Sequence, residues 1–335
     1  MNTNLEEGFI ARPANEADFP AAVEVFNAYA EAAGSRPTSL SYLCRPLKMA
    51  GFDMQNDTRV VISPEGRIAA FAIMENMSMP PVYPSMRGGV HPDFEKRGIG
   101  TYLLTWAENR AIQYLKEIPA GIRAGLRCYC SIRYQPAIKL FKDGGFKEIR
   151  QFRNMRIDLA NASPRPQWPE NITLTTFKDH PDLRAVYRTI DEAFRDHWGH
   201  IAQDEEKGLE QWRRGFLEED FFDPTLWFLV MEGDELVAAA LCSPKSGNDA
   251  DTGYIMELGV RRQWRKKGIA LNLLYQVFNE FRSRGRRYSG LSVDAASLTG
   301  ATRLYERAGM VTIQTSVLYE KELRTGKDLS TQTIA

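Results

Sequence analysis

Val260-Arg-Arg-Gln-Trp-Arg265-Lys-Lys-Gly268-Ile-Ala270-Leu-Asn-Leu-Leu274 follows a strand-like segment and opens a strongly helical one. The same setting recurs 170 residues earlier (268 − 98) as Val90-His-Pro-Asp-Phe-Glu95-Lys-Arg-Gly98-Ile-Gly100-Thr-Tyr-Leu-Leu104. The two stretches pair without a gap, from the valine that ends the strand to the double leucine inside the helix. Small residues and cations at a helix N-terminus suit phosphate, because the free N–H groups and the helix dipole there favour an anion. Two such loops in one setting imply a duplicated domain.

Outward from the loops, the two halves follow one plan. The first reads as a strand over ~8–13, a helix over ~16–33 capped from Asn15-Glu-Ala-Asp18, and a hairpin around Pro64-Glu-Gly66. A strand over ~85–91 then leads through the loop into a long helix over ~97–116. Strand ~123–130, helix ~135–143 and strand ~146–158 close the unit. The second half repeats this: Ile172 to Thr176 extended, helices over ~181–196 and Asp204 to Leu217, and a hairpin around Gly233-Asp234. A strand over ~253–260, a helix over ~266–284, a strand over ~288–294, a helix over ~299–308 and a strand over ~311–321 follow. A mostly antiparallel sheet interrupted by one central helix is an α+β plan. It divides the chain into an N-terminal domain over 1–160, an extended proline-bearing linker over 161–169, a C-terminal domain over 170–325 and a flexible tail over 326–335.

The bulk composition narrows the function. At 335 residues the chain has room for two domains with their own cores. Forty-three basic residues balance forty-three acidic ones, so no nucleic-acid or membrane partner is expected from charge. The start lacks the basic flank and apolar core of a signal peptide, and no apolar run approaches the ~20 residues of a membrane span. A cytoplasmic location is the expectation. Cys44, Cys128, Cys130 and Cys242 form no CxxC pair and read as idle thiols.

In the second loop Gly268 and Ala270 let a ligand approach the backbone of the first helical turn, beside Arg261, Arg262, Arg265, Lys266 and Lys267. The pattern is neither the Gly-x-Gly-x-x-Gly dinucleotide fingerprint nor a P-loop. It resembles the Arg/Gln-x-x-Gly-x-Gly/Ala loop of the GCN5-related N-acetyltransferase (GNAT) superfamily, which binds acetyl-CoA. Arg265-Lys-Lys-Gly268-Ile-Ala270 fits fully; in Glu95-Lys-Arg-Gly98-Ile-Gly100 an acid replaces the first cation. Ala301-Thr-Arg-Leu304-Tyr305-Glu-Arg-Ala-Gly309-Met310 is similar to that family's Ala-x-x-Leu-Tyr-x-x-x-Gly-Phe segment, whereas Ala137 to Phe146 keeps the register with Phe141 in place of the tyrosine. Together with Asp191-Glu-Ala-Phe-Arg-Asp-His197-Trp198-Gly-His200, these segments resemble the tandem branch that includes mycothiol synthase. The resemblance implies two tandem acyl-CoA N-acyltransferase folds, with catalysis in the C-terminal one.

It also implies the chemistry. An acetyl group passes directly from the thioester of acetyl-CoA, a co-substrate, to a primary amine of a small molecule in a ternary complex. A lysine-like amine with a pKa of ~10.4 is neutral only about once in 10³ at pH 7, so a base is needed. Glu257, three residues before Val260, is the candidate; Arg87 occupies the matching place in the first half. Backbone N–H groups of Leu258, Gly259 and Val260 are expected to hold the pantetheine and polarise the carbonyl. Arg265, Lys266, Lys267, Gly268, Ile269 and Ala270 are expected at the phosphates, and Ser297 stands where the family often has a pantetheine-touching asparagine. Tyr305 is the candidate acid for the leaving thiolate. Val90, Arg97, Gly98 and Gly100 are the corresponding binding positions of the first half, expected to be a structural or weakly binding relic.

Other readings are weaker. His197 and His200 share a helix spacing but lack a third ligand, so no metal is expected. Trp198, Trp212 and Trp227 read as core or pocket wall. No Gly-x-Ser-x-Gly segment supports a serine hydrolase. A non-catalytic acyl-CoA sensor on the same fold is the alternative. The two like domains are expected to pair within a monomer or to form a homodimer.

Overall fold

Nearly continuous apolar runs on either side of a glycine turn, Val60 to Met74 around Gly66 and Trp227 to Leu241 around Gly233, form a hairpin in each unit. The computed structural model describes residues 5–49, 51–76, 80–160, 164–219 and 221–332. The first half contains β1 (Ile10–Arg12), α1 (Phe19–Ala32), α2 (Leu40–Cys44), α3 (Met54–Asp57), β2 (Thr58–Ile62), β3 (Ile68–Glu75) and β4 (Ser85–Val90). It continues through α4 (Ile99–Tyr114), β5 (Ala124–Ser131), α5 (Gln135–Asp143) and β6 (Lys147–Asp158). The second contains β7 (Ile172–Thr176), α6 (Leu183–Phe194), α7 (Glu205–Trp212), β8 (Trp227–Glu232), β9 (Glu235–Ser243) and β10 (Thr252–Val260). After it come α8 (Ile269–Ser283), β11 (Tyr288–Asp294), α9 (Ala301–Arg307) and β12 (Val311–Arg324). Asn15 caps a short 3-10 turn rather than α1 directly, and the helix expected from Asp204 to Leu217 turns π-helical at Arg213–Leu217.

Among the described residues β4 pairs parallel with β5 and β10 with β11, Ile122 makes an isolated parallel bridge to Lys327, and the hairpin and closing strands of each unit pair antiparallel. This is the α+β plan expected. In the second unit one sheet face packs on α8 through Val277, Phe278 and Phe281, and the other on α6 through Val186 and Ile190. The first unit has the same two-faced core, with Leu103 and Leu104 of α4 on one side and Ala22 and Phe26 of α1 on the other.

The closing strands differ from expectation. The first compact unit consists of residues 1–151 and 314–329, the second of residues 152–313 and 330–335. The expected boundaries, 1–160 and 170–325, each include a strand that serves the other unit. In the first unit β12 pairs antiparallel with β5, placing Glu320 opposite Arg127. In the second, β6 pairs with β11, placing Arg156 opposite Gly290, while the core-facing pairs are Met155 with Leu291 there and Tyr319 with Cys128 in the first unit. Charge and burial explain the choice. Glu320 is buried and accepts hydrogen bonds from Arg123 at 2.5 Å and Arg127 at 2.9 Å. Exchanging the strands would set Arg156 against two arginines and leave Glu320 opposite Gly290. An uncompensated buried charge costs about 3–5 kcal/mol.

The linker and tail are also held. The Gln167 N–H donates to Asn272 Oδ1 at 3.0 Å, and Asn272 Nδ2 donates to the Gln167 carbonyl at 2.7 Å, along α8. Thr331 exchanges backbone bonds with Gly199 and His200, and Trp198 Nε1 donates to Gln332 at 2.9 Å. Residues 326–332 are thus not a free tail. Residues 161–163 and 333–335 lie outside the described residues.

One glycine in the second sheet is required by packing. A Cβ on Gly253 would lie 2.5 Å from the Phe281 ring, which is fully buried. Gly253→Ala is therefore expected to destabilise the protein by about 1–3 kcal/mol. In urea the midpoint should fall with the slope unchanged.

Candidate active site

Parallel pairing between β10 and β11 covers only Thr252–Tyr254 with Tyr288–Gly290. Beyond Tyr254 the strands part, and the β11-facing edge of Ile255 to Val260 is left unladdered. A bulge at Met256 shifts the β10–β9 register between Ile255 and Glu257. Bulges of this kind re-aim side chains beside functional sites. Glu257 is half-buried there, opposite Leu241. The β3–β4 ladder of the first unit runs from Ala70–Val90 to Glu75–Ser85 with no such shift.

The loop after β10 has an unusual backbone. Lys266 and Gly268 both adopt left-handed backbone, at φ 63° and 81°. For lysine this conformation costs roughly 1–2 kcal/mol. Lys96 and Gly98 repeat it at 62° and 73°. The first intrahelical bond of α8 runs from the Asn272 N–H to the Gly268 carbonyl, so the N–H groups of Ile269, Ala270 and Leu271 have no helical acceptor. A Cβ on Gly268 would meet only Asn272 Nδ2, at 3.8 Å, so the space over the loop is open.

The cations divide into two sets. The Arg265 guanidinium turns into the protein, donating to Asp196 at 2.6 Å, the Ala193 carbonyl at 3.0 Å and the Val260 carbonyl at 3.2 Å. Arg262 also bonds Asp196, and Arg261 bonds Glu192 and Glu235. These arginines lock the loop to the end of α6. Lys266 and Lys267 are exposed and, among the described residues, in no ion pair. Asp196, which sequence reasoning missed, is the anchor; the Arg262 hydrogen bond, then Arg265, holds its carboxyl below the usual range despite burial. Gly259 serves packing, since a Cβ there would lie 2.9 Å from Ala193 Cβ and Ile190 Cδ1 of α6.

Tyr305 on α9 is buried in the α8-side core. Its phenol is pushed well above the ordinary tyrosine range, by burial first and then by the charge of Glu257. The Glu257 charge is thus felt at the Tyr305 phenol. Among the described residues the Tyr305 hydroxyl has no hydrogen-bond partner. Ser297 accepts from the Ala301 N–H at 3.4 Å and so helps cap α9. His197 lies against the Phe194 ring at 4.2 Å; burial, then Arg265, lowers its pKa and keeps it neutral near pH 7. His200 pairs with Asp191 at 3.2 Å.

At the matching positions of the first unit the side chains pair or pack within that unit. Arg87 pairs with Glu75 at 2.5 Å and stacks on Tyr42. Phe141 packs on the Phe146 and Tyr319 rings. Arg97 lies over Phe9 and Phe94. Val90 packs against the α4-side core, and a Cβ on Gly100 would meet Leu140 Cδ2 at 3.0 Å. A cleft of about 440 Å³ between β7 and α8, lined by Thr176, Lys178, Thr225 and Arg284, shares no residue with the candidate site. No described helix is long and apolar enough to cross a membrane.

Known proteins match this architecture. The model of the acetyltransferase (GNAT) family matches residues 183–310, all in the second unit. Mycothiol acetyltransferase of Thermobispora bispora is 29% identical over 311 residues, covering 91% of this chain and 96% of the relative. A tandem GNAT protein of the clavulanic acid biosynthesis pathway shares the fold, with a TM-score of 0.68 at 14% identity over 95% of this chain and 100% of that one. The GCN5-related N-acetyltransferase of Sphaerobacter thermophilus superposes with a TM-score of 0.81 at 36% identity, over 98% of this chain and 100% of that one. With so full a match at that identity, and with the family model falling on the unit that holds the parted strands, this chain belongs to the GCN5-related N-acetyltransferase family and is an N-acetyltransferase.

Proposed function

We infer that the second unit transfers an acetyl group from acetyl-CoA to a primary amine of a small molecule, by direct attack in a ternary complex. One observation carries this reading: Tyr305, whose ring is buried and whose hydroxyl has no hydrogen-bond partner among the described residues, feels the charge of Glu257 on the strand that leaves β11. The residues present also fit the co-substrate. The αL loop with Lys266 and Lys267 offers donors and charge for phosphates. The open edge of β10 offers amide and carbonyl groups to a pantetheine arm. Acetyl-CoA supplies an activated acyl group; proton handling falls to the protein. The relatives named mycothiol acetyltransferase support a small-molecule acceptor.

The protons can be followed. A lysine-like ammonium must lose one to attack, a deficit of roughly 4–5 kcal/mol at pH 7. Glu257 takes that proton, directly or through water. Tyr305 protonates the departing thiolate, whose ordinary pKa is about 8.5. The raised phenol alone would be a poor donor to such a sulfur. Part of the rise comes from the Glu257 charge, however, and that charge vanishes once Glu257 is protonated.

The test is release of free CoA thiol from acetyl-CoA across a panel of small primary amines, amino sugars and amino acids. Amine-dependent release with at least one acceptor is expected. Stoichiometric acetyl-CoA binding with no release for any acceptor would instead favour the non-catalytic sensor.

A further inference from the structure

We propose that the first unit's equivalent crevice is sealed by Tyr29, Tyr134 and Glu95, so that the chain binds one acetyl-CoA and not two. The proposal rests on the reading of the second unit given above.

Both units hold a helix against the glycine that ends the strand before the loop. A Cβ on Gly259 would meet Ala193 and Ile190 of α6; one on Gly89 would meet Phe26 Cδ1 at 3.5 Å and Tyr29 Cβ at 3.7 Å on α1. The glycines are 170 residues apart (259 − 89), and both helix contacts are 164 apart (190 − 26 and 193 − 29). Tyr29 therefore stands where the second unit has the methyl group of Ala193.

Its ring reaches across the space where the strands part. β4 and β5 pair only through Ser85–Arg127 and Met86–Cys128, so they diverge early, as β10 and β11 do. From beside Gly89 on β4, Tyr29 packs edge-on against Tyr134, just past β5, with centroids 4.9 Å apart and an interplanar angle of 85°. The Tyr29 side chain is half-buried, and burial, then Cys130 on β5, pushes its phenol up. The Tyr134 hydroxyl in turn donates to the carboxylate of Glu95, the first residue of the loop motif. Helix, strand end and loop are thus tied across the mouth of the crevice.

None of the three groups exists in the second unit. Tyr134 corresponds to Leu298 (298 − 134 = 164) and Glu95 to Arg265, whose guanidinium turns away toward Asp196. A carboxylate at the loop also opposes an incoming phosphate by like charge. The left-handed residues Lys96 and Gly98 preserve the loop's shape, so the shape alone does not make the site available.

Equilibrium binding of radiolabelled acetyl-CoA to the full chain tests this. One site per chain is expected in the wild type and none in Gly268→Glu. The triple variant Tyr29→Ala, Tyr134→Leu, Glu95→Arg is expected to gain a second. Two sites in the wild type, or one remaining in Gly268→Glu, would overturn the proposal. If the triple variant fails to fold by circular dichroism, the counts for the wild type and Gly268→Glu decide alone. Absence of wild-type binding would count against the reading of the second unit; the seal would then stand or fall on whether the triple variant gains a site.

Discussion

Glu257→Gln is expected to lower kcat by about 10²–10⁴-fold, the usual range for a general base, while leaving acetyl-CoA affinity within about twofold. The amide keeps the shape of the side chain and can neither take a proton nor carry charge. The defect should shrink as pH rises, because more of the acceptor then arrives already neutral, up to its own pKa near ~10.4. A second readout is spectroscopic. With the Glu257 charge gone, the Tyr305 phenol should ionise at lower pH than in the wild type, though still above an exposed tyrosine, because burial is the larger cause of its shift. Unchanged kcat with an unchanged pH profile would remove Glu257 from the mechanism.

Tyr305→Phe is expected to lower kcat by about 10²–10³-fold with little change in the KM of either substrate. The ring stays in the core beside Val293 and Ala308, so packing is retained. The hydroxyl has no partner among the described residues, and its loss should leave neutral-pH stability equal or slightly higher. The alkaline limb gives an independent check. A phenol with a raised folded pKa contributes fully below its unfolded value of about 10 and loses that contribution as pH climbs toward the folded value. The wild type should therefore lose stability above about pH 10 more steeply than the variant. Normal kcat in the variant, with only the alkaline difference surviving, would leave Tyr305 as a packing residue.

Much of the site was legible because its parts are local. The left-handed loop, the helix it opens and the tyrosine on α9 all follow from residues within a few positions of one another, and the internal repeat marks them twice. The intramolecular partner of Arg265 was not legible for the same reason. Adjacency to the glycine suggested a phosphate contact, yet its partner is Asp196, 69 residues away along the chain. The Met256 bulge was invisible, since alternation through Tyr254 to Val260 reads as an ordinary strand and the extra residue is defined only against β9. Tyr29 and Tyr134 gave no signal either. One looked like a helix residue and the other like a turn, and their joint effect depends on meeting between two parting strands.

By itself the sequence determined the duplicated α+β plan, the anion loop at a helix start and the loss of Glu257 and Tyr305 equivalents from the first half, because these depend on backbone geometry and residue type at short range. Tertiary structure alone decided which strand completes which sheet, which arginines face the protein and which crevice stays open. Those outcomes depend on long-range pairing. Glu320 must find Arg123 and Arg127, and Asp196 must find Arg262 and Arg265. A buried charge accepts few partners, so such pairs select among folds that the local pattern leaves equally possible.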